Sequence, residues 1–83
     1  MQIRIKTNES LLESNGWELF SKFNDGATYR KWVTNALVVV VEYYFNDKEK
    51  YIWSYRVSNP YTDFLYLKDM SITLEELKKL EVK

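Results

Sequence analysis

Carboxylates are the side chains in this sequence with the readiest claim to acid–base chemistry. There are twelve Asp and Glu, while His and Cys are both absent. Without imidazole or thiol there is no zinc site, thiolate nucleophile, disulfide or neutral-pH base to build from. Glu42 differs from the other acids because Val41 and Tyr43 flank it in an apolar stretch. A carboxyl buried there would have a raised pKa and could serve as a general acid or base. The simpler role is a cross-strand ion pair with Arg56. No nucleophile–base pair or two-carboxylate site can be placed from the spacing, so no catalytic residue and no enzymatic activity are expected. Asn46-Asp47-Lys48-Glu49 alternates acids but lacks the Gly and the distant Glu of a calcium loop. The two glycines, Gly16 and Gly26, are both accounted for by turns, which leaves no phosphate cradle. Cofactors and metals are expected to be absent.

Binding chemistry has more to work with. Three Trp, seven Tyr and four Phe make up 17% of the chain. Sheet modules that bind nucleic acid stack bases on exposed aromatics and flank them with Lys and Arg. Tyr29-Arg30-Lys31-Trp32 and Lys50-Tyr51-Ile52-Trp53-Ser54-Tyr55-Arg56 interleave these types. A nucleic-acid module would therefore use Trp32 and Trp53 with Arg30, Lys31 and Arg56. The overall charge argues against it: twelve Lys and Arg cancel twelve Asp and Glu. Neither a basic clamp nor an acidic DNA mimic fits that balance.

The elements that would position these residues follow from local patterns. The chain has 83 residues, which bounds it to a single domain, 1–83. Ile3 and Ile5 alternate with Arg4 and Lys6 as in a strand. Ser10-Leu11-Leu12-Glu13 has capping-box spacing and Asn15-Gly16 a helix stop, so a two-turn helix is expected near 9–15. Trp17 to Phe23 alternates as a strand, Asn24-Asp25-Gly26 is a hairpin turn, and Ala27 to Val33 is the returning strand. Leu37 to Phe45 and Tyr51 to Val57 are the next two strands. A five-residue loop pairing Phe45 with Tyr51 segregates their faces best, placing Tyr43 opposite Trp53 and Tyr44 opposite Ile52. Residues 62–68 lean towards an edge strand, with a helix capped by Asn59 as the alternative. Thr73-Leu-Glu-Glu76 is a second capping box, stapled by Ile72 and Leu77, and opens a helix with Leu74, Leu77 and Leu80 on its apolar side.

The fold class expected from these elements is α+β: an antiparallel meander of four to six strands with two short helices packed on one face. That face would carry Leu37, Val39, Val41, Tyr43, Trp53 and Tyr55. Val38 to Val41 is apolar on both sides, however, whereas a strand with one wet face alternates. The second side would present Val38, Val40, Tyr44 and Ile52, ringed by Glu42, Arg56 and Arg30. Arg30, Trp32, Val38, Val40, Tyr44, Ile52 and Arg56 are the candidate partner-binding set, facing another protein or a second copy of the chain. The longest apolar run, Ala36 to Val41, is far too short to span a bilayer, and the N-terminus has no signal-peptide pattern. A cytoplasmic protein without a membrane partner is expected. In composition, short and Cys- and His-free yet aromatic-rich, the chain resembles small accessory proteins of phages and mobile elements. That resemblance implies a module that binds and inhibits or modulates a larger protein.

Overall fold

The computed structural model describes residues 2–62 and 66–82. Its elements in chain order are β1 (Gln2–Lys6), α1 (Glu9–Ser14), β2 (Glu18–Lys22), β3 (Gly26–Trp32), β4 (Val38–Phe45), β5 (Lys50–Ser58) and α2 (Leu67–Lys78). The strands form one antiparallel sheet in the order β1-β5-β4-β3-β2. β2 to β5 are thus the expected meander, and β1 closes on the far side of β5. The most apolar strand, β4, lies in the middle, where both of its edges are paired. No helix among the described residues is long and apolar enough to cross a membrane.

Local chemistry explains most boundaries. α1 is capped by Asn8, not Ser10: the Asn8 side chain accepts from the Leu11 N–H at 2.9 Å. It ends where Gly16 takes φ +85°, a conformation side chains other than glycine resist. Gly26 is required for a different reason. A Cβ there would sit 2.5 Å from the Tyr43 carbonyl oxygen, so β3 could not approach β4 at that point with any larger residue.

Asn46 organises the β4–β5 turn. Its side-chain oxygen accepts from the N–H groups of Lys48 and Glu49 at 2.8 and 2.7 Å. Such an Asx turn favours a tight four-residue loop, and Phe45 accordingly pairs with Lys50, not Tyr51. Farther along, Val41 pairs with Tyr55 and Val39 with Val57, which is the five-residue register expected from patterning. The two registers meet in a bulge at Trp53, between the pairs Tyr43–Ile52 and Glu42–Ser54. Ile52 and Tyr55 are therefore both buried although three residues apart, which an unbroken strand would forbid.

α2 starts six residues earlier than Thr73. Tyr66 is its N-cap, and the Asp69 carboxylate accepts from the Tyr66 N–H at 3.0 Å. Thr73 lies inside the helix, fully buried, its hydroxyl donating to the Asp69 carbonyl at 2.8 Å. The buried stripe is Thr73, Leu77 and Leu80, while Leu74 is 45% exposed. Asn59 makes a turn instead of a helix cap, with Tyr61 N–H on its side chain and Thr62 N–H on its carbonyl. Tyr66 and residues 67–68 belong to the α2 cap and first turn, not to an edge strand; residues 63–65 of that expected strand lie outside the described residues.

One core cluster joins Leu12 of α1, Leu77 of α2 and Leu80 with Val39, Val41, Tyr43, Ile52 and Tyr55. Glu76 of α2 is tied to β3 by Lys31, whose Nζ lies 2.8 Å from Oε2, and Lys79 approaches the other oxygen at 3.1 Å. The hydrogen bond from Lys31 is the main reason the Glu76 carboxyl is held below its ordinary range, against burial that pushes it up.

Candidate functional site

Strand periodicity puts Val38, Val40, Glu42 and Tyr44 on the face opposite Val39, Val41 and Tyr43, here called the outer face. The register lines up rows across it. Arg30, Val40 and Arg56 form one row over β3, β4 and β5; Trp32, Val38 and Ser58 form the next towards one end; Thr28, Glu42 and Ser54 form another towards the other. Six of the seven expected binding residues are thereby brought together. Val38, Val40 and Tyr44 are half-buried, and Arg30, Trp32 and Arg56 are exposed.

Ile52 is the exception. It was expected on this face, yet it is fully buried in the core cluster. The bulge is the cause, because below it each β5 residue changes side relative to the expected register. Trp53 makes the opposite move: expected inside, it is 43% exposed and lines a groove of about 240 Å3 with Phe23, Glu42 and Tyr44. Tyr51 likewise comes outward, its ring 5.2 Å from that of Tyr44. Lys31, expected in the alternative nucleic-acid set with Arg30 and Arg56, does not join them. It points to the other side and is engaged by Glu76.

The outer face is richer in rings and guanidinium groups than the spacing implied. Arg4 lies over the Tyr51 ring at 3.9 Å and is paired with Glu49 at 2.8 Å. Arg30 lies over the exposed Phe20 ring at 4.9 Å, with Glu18 at 3.7 Å. Phe20 lies at the register shift between Leu19 and Ser21, two residues from Glu18, which pairs with Arg30. Arg56 pairs with no carboxylate among the described residues, and the expected ion pair with Glu42 is not formed. Glu42 stands opposite Ser54, half-buried beside the groove.

Chemically, this surface can stack, bury apolar area and pair charge. No group of three or more acidic side chains able to hold a metal occurs among the described residues. Two signals for the outward turn of Trp53 and Tyr51 were present in the sequence. Asn46 at the first loop position favours the four-residue turn, and patterning favours the five-residue register. A bulge is the one way to satisfy both. Compared with protein-family models, curated proteins and solved structures, the chain matches none.

Proposed function

We propose that the chain is a small non-enzymatic interaction module that docks through its outer sheet face onto another protein, either a larger target that it modulates or a second copy. In this reading both helices cover the face bearing Val39, Val41 and Tyr43, and the opposite face is kept for the partner. The observation that carries the proposal is the exposure of Phe20, Phe23, Trp32 and Trp53, each 43–59%, along the outer face, with Trp32 at its Val38 end, Phe20 under Arg30, and Phe23 and Trp53 in the groove beside Tyr44. Large aromatics and Arg are the types enriched at interface hot spots. At roughly half exposure, four such rings offer on the order of 400 Å2, the size of patch that monomers usually reserve for binding. Burying it would contribute about 10 kcal/mol before association costs are deducted. A Val40→Lys or Trp53→Ala variant should stay folded and lose self-association in sedimentation velocity, or lose the protein it captures. Retention of both by both variants would place the interaction elsewhere.

A second reading, binding of single-stranded nucleic acid, is favoured by the outward position of Trp53 and Tyr51 and by the Arg–ring contacts. Trp32 and Trp53 would be separated by roughly 13 Å along the strands, four residues of rise, with Arg30 and Arg56 between them. Ionic strength separates the two. Affinity for an oligonucleotide falls steeply with salt, whereas an apolar protein contact changes little.

A further inference from the structure

Where the β4–β5 turn meets β1, at the end of the sheet away from Trp32, lies a hollow of about 230 Å3 lined by Arg4, Lys6, Lys48, Glu49, Lys50 and Tyr51. Four of these six residues are basic, in a chain whose total charge is zero. Pairing sets the cations on one side. Lys6 stands opposite Tyr51 in the β1–β5 ladder, so the two side chains share a face. The Arg4 guanidinium lies over the same ring at 3.9 Å, and that ring leans on Tyr44 at 5.2 Å between centroids. Lys48 is anchored by the turn, its N–H donating to the Asn46 side chain at 2.8 Å. Lys50 also borders a neighbouring cleft beside Asp25 and Asp47, which leaves Arg4, Lys6 and Lys48 as the cations that belong to this hollow alone. Neither Lys6 nor Lys48 forms an ion pair among the described residues.

The hollow already holds one oxyanion. Arg4 Nη2 donates to the Glu49 carboxylate at 2.8 Å, its one hydrogen bond among the described residues. A guanidinium presents five N–H groups in a planar fork, so a single carboxylate oxygen leaves most of them open. One carboxylate also cannot neutralise three cations, and a pair whose members are 53% and 51% exposed is held weakly enough to exchange. A phosphate monoester brings about two charges and three acceptor oxygens, a closer match to three cations than a carboxylate. We propose that this hollow binds a phosphoryl group, whose oxygens take the Arg4 N–H groups that Glu49 leaves open while Lys6 and Lys48 supply the remaining charge. The space is sufficient, since a cavity of about 150 Å3 holds a benzene-sized molecule. Glu49 is the built-in competitor. A small phosphorylated molecule and a nucleic-acid strand offer the same group, and the test separates them. The site does not rest on docking by the rows around Val38 and Val40, and none of the substitutions below touches those rows.

The test is an NMR titration of 15N-labelled protein with sodium pyrophosphate, beside sodium acetate and sodium chloride at matched ionic strength. Pyrophosphate should give saturable shifts centred on residues 4–6 and 48–51, with acetate at least about threefold weaker and chloride without saturation. Arg4→Lys keeps the charge but loses the fork, and Lys6→Gln loses one cation; each should weaken binding by about threefold or more. Glu49→Gln should tighten it. Lys22→Gln makes the same charge change as Lys6→Gln, but on β2 at the opposite edge of the sheet, and should leave affinity within about twofold. All four side chains are exposed, so each variant should fold. A thymidine octanucleotide binding at least about tenfold more tightly than pyrophosphate, with shifts reaching the Trp53 indole, would assign the phosphate to a nucleic-acid strand. Equal or weaker binding would assign it to a small molecule. Pyrophosphate shifts no greater than those of chloride overturn the proposal. Unchanged affinity in both Arg4→Lys and Lys6→Gln also overturns it, as does a loss in Lys22→Gln equal to that in Lys6→Gln, which would mark a diffuse field with no site.

Discussion

Val39 and Val40 are neighbours in the chain and identical in chemistry, yet one is fully buried and the other half-exposed. The same contrast continues along β4, where Val41 and Tyr43 are buried while Glu42 and Tyr44 are not. The inner-face side chains Val39, Val41 and Tyr43 belong to one core cluster with Leu12, Leu77 and Leu80. On the outer face, Val38 and Val40 are half-buried in rows with Trp32, Arg30 and Arg56, which are exposed. Hydrophobicity on both sides of a strand therefore does not require two cores. One side can be core and the other the floor of a binding surface.

The largest expected effect tests whether Ile52 belongs to the inner side. Ile52→Ala should cost about 2–5 kcal/mol in urea unfolding, as for a fully buried aliphatic, whereas Val40→Ala should cost about 1 kcal/mol or less. Equal costs would erase the distinction between the faces. Gly26→Ala comes next, at about 1–3 kcal/mol, because its methyl group meets the Tyr43 carbonyl and must push β3 from β4. A neutral result would mean that the two strands separate there easily.

The tether between α2 and the sheet is smaller. Glu76→Gln should cost about 1–2 kcal/mol at pH 7, since the Lys31 ammonium then faces an uncharged amide oxygen in place of a carboxylate. The pH dependence has a definite sign. Folding lowers the Glu76 pKa from its ordinary value near 4.5, so its contribution is complete above that value and is lost as pH falls through the lowered one. The stability gap between wild type and Glu76→Gln should therefore close in acid and stay constant between pH 6 and 8. The smallest effect belongs to the outer face. Trp53→Ala should change stability by about 1 kcal/mol or less while abolishing partner binding. In single-tryptophan variants, acrylamide should quench Trp32 and Trp53 but leave the buried Trp17 protected.

Much of this arrangement was legible from residue types. Asn24-Asp25-Gly26, Asn15-Gly16 and the alternation from Val38 to Phe45 gave the meander and its central strand without reference to any contact. Errors arose where two local signals competed. Ser10 and Thr73 both have capping-box spacing, but Asn8 and Tyr66 take the caps because tertiary burial of Leu12, Thr73 and Leu77 sets where each helix lies. Tyr66 has no short polar side chain of the usual capping kind, so only Asp69, three residues on, hinted at that start. On the candidate surface, Val38, Val40, Tyr44, Arg30, Trp32 and Arg56 followed from period two alone. Ile52 and Trp53 did not, because the side each takes depends on a bulge. Lys31, from the nucleic-acid set, alternates with Arg30 and Trp32 and so falls on the other side, where it meets Glu76.

Trp53 behaves as a one-residue insertion into an otherwise continuous ladder. With it removed, Ser54 would follow Ile52 directly, and the pairs Tyr43–Ile52 and Glu42–Ser54 would fall into a single register. Ile52 and Tyr55 would keep their inward positions. A deletion in a central-sheet strand ordinarily reverses every side chain beyond it and is ruinous. Here the hairpin should absorb the loss of Trp53 and fold with a straighter β5, whereas deleting Ser58-side neighbours such as Val57 would shift the strand end against Val39. The extra residue is thus dispensable to the architecture. What it supplies is one indole on the outer face, held at a bend that only an added residue creates.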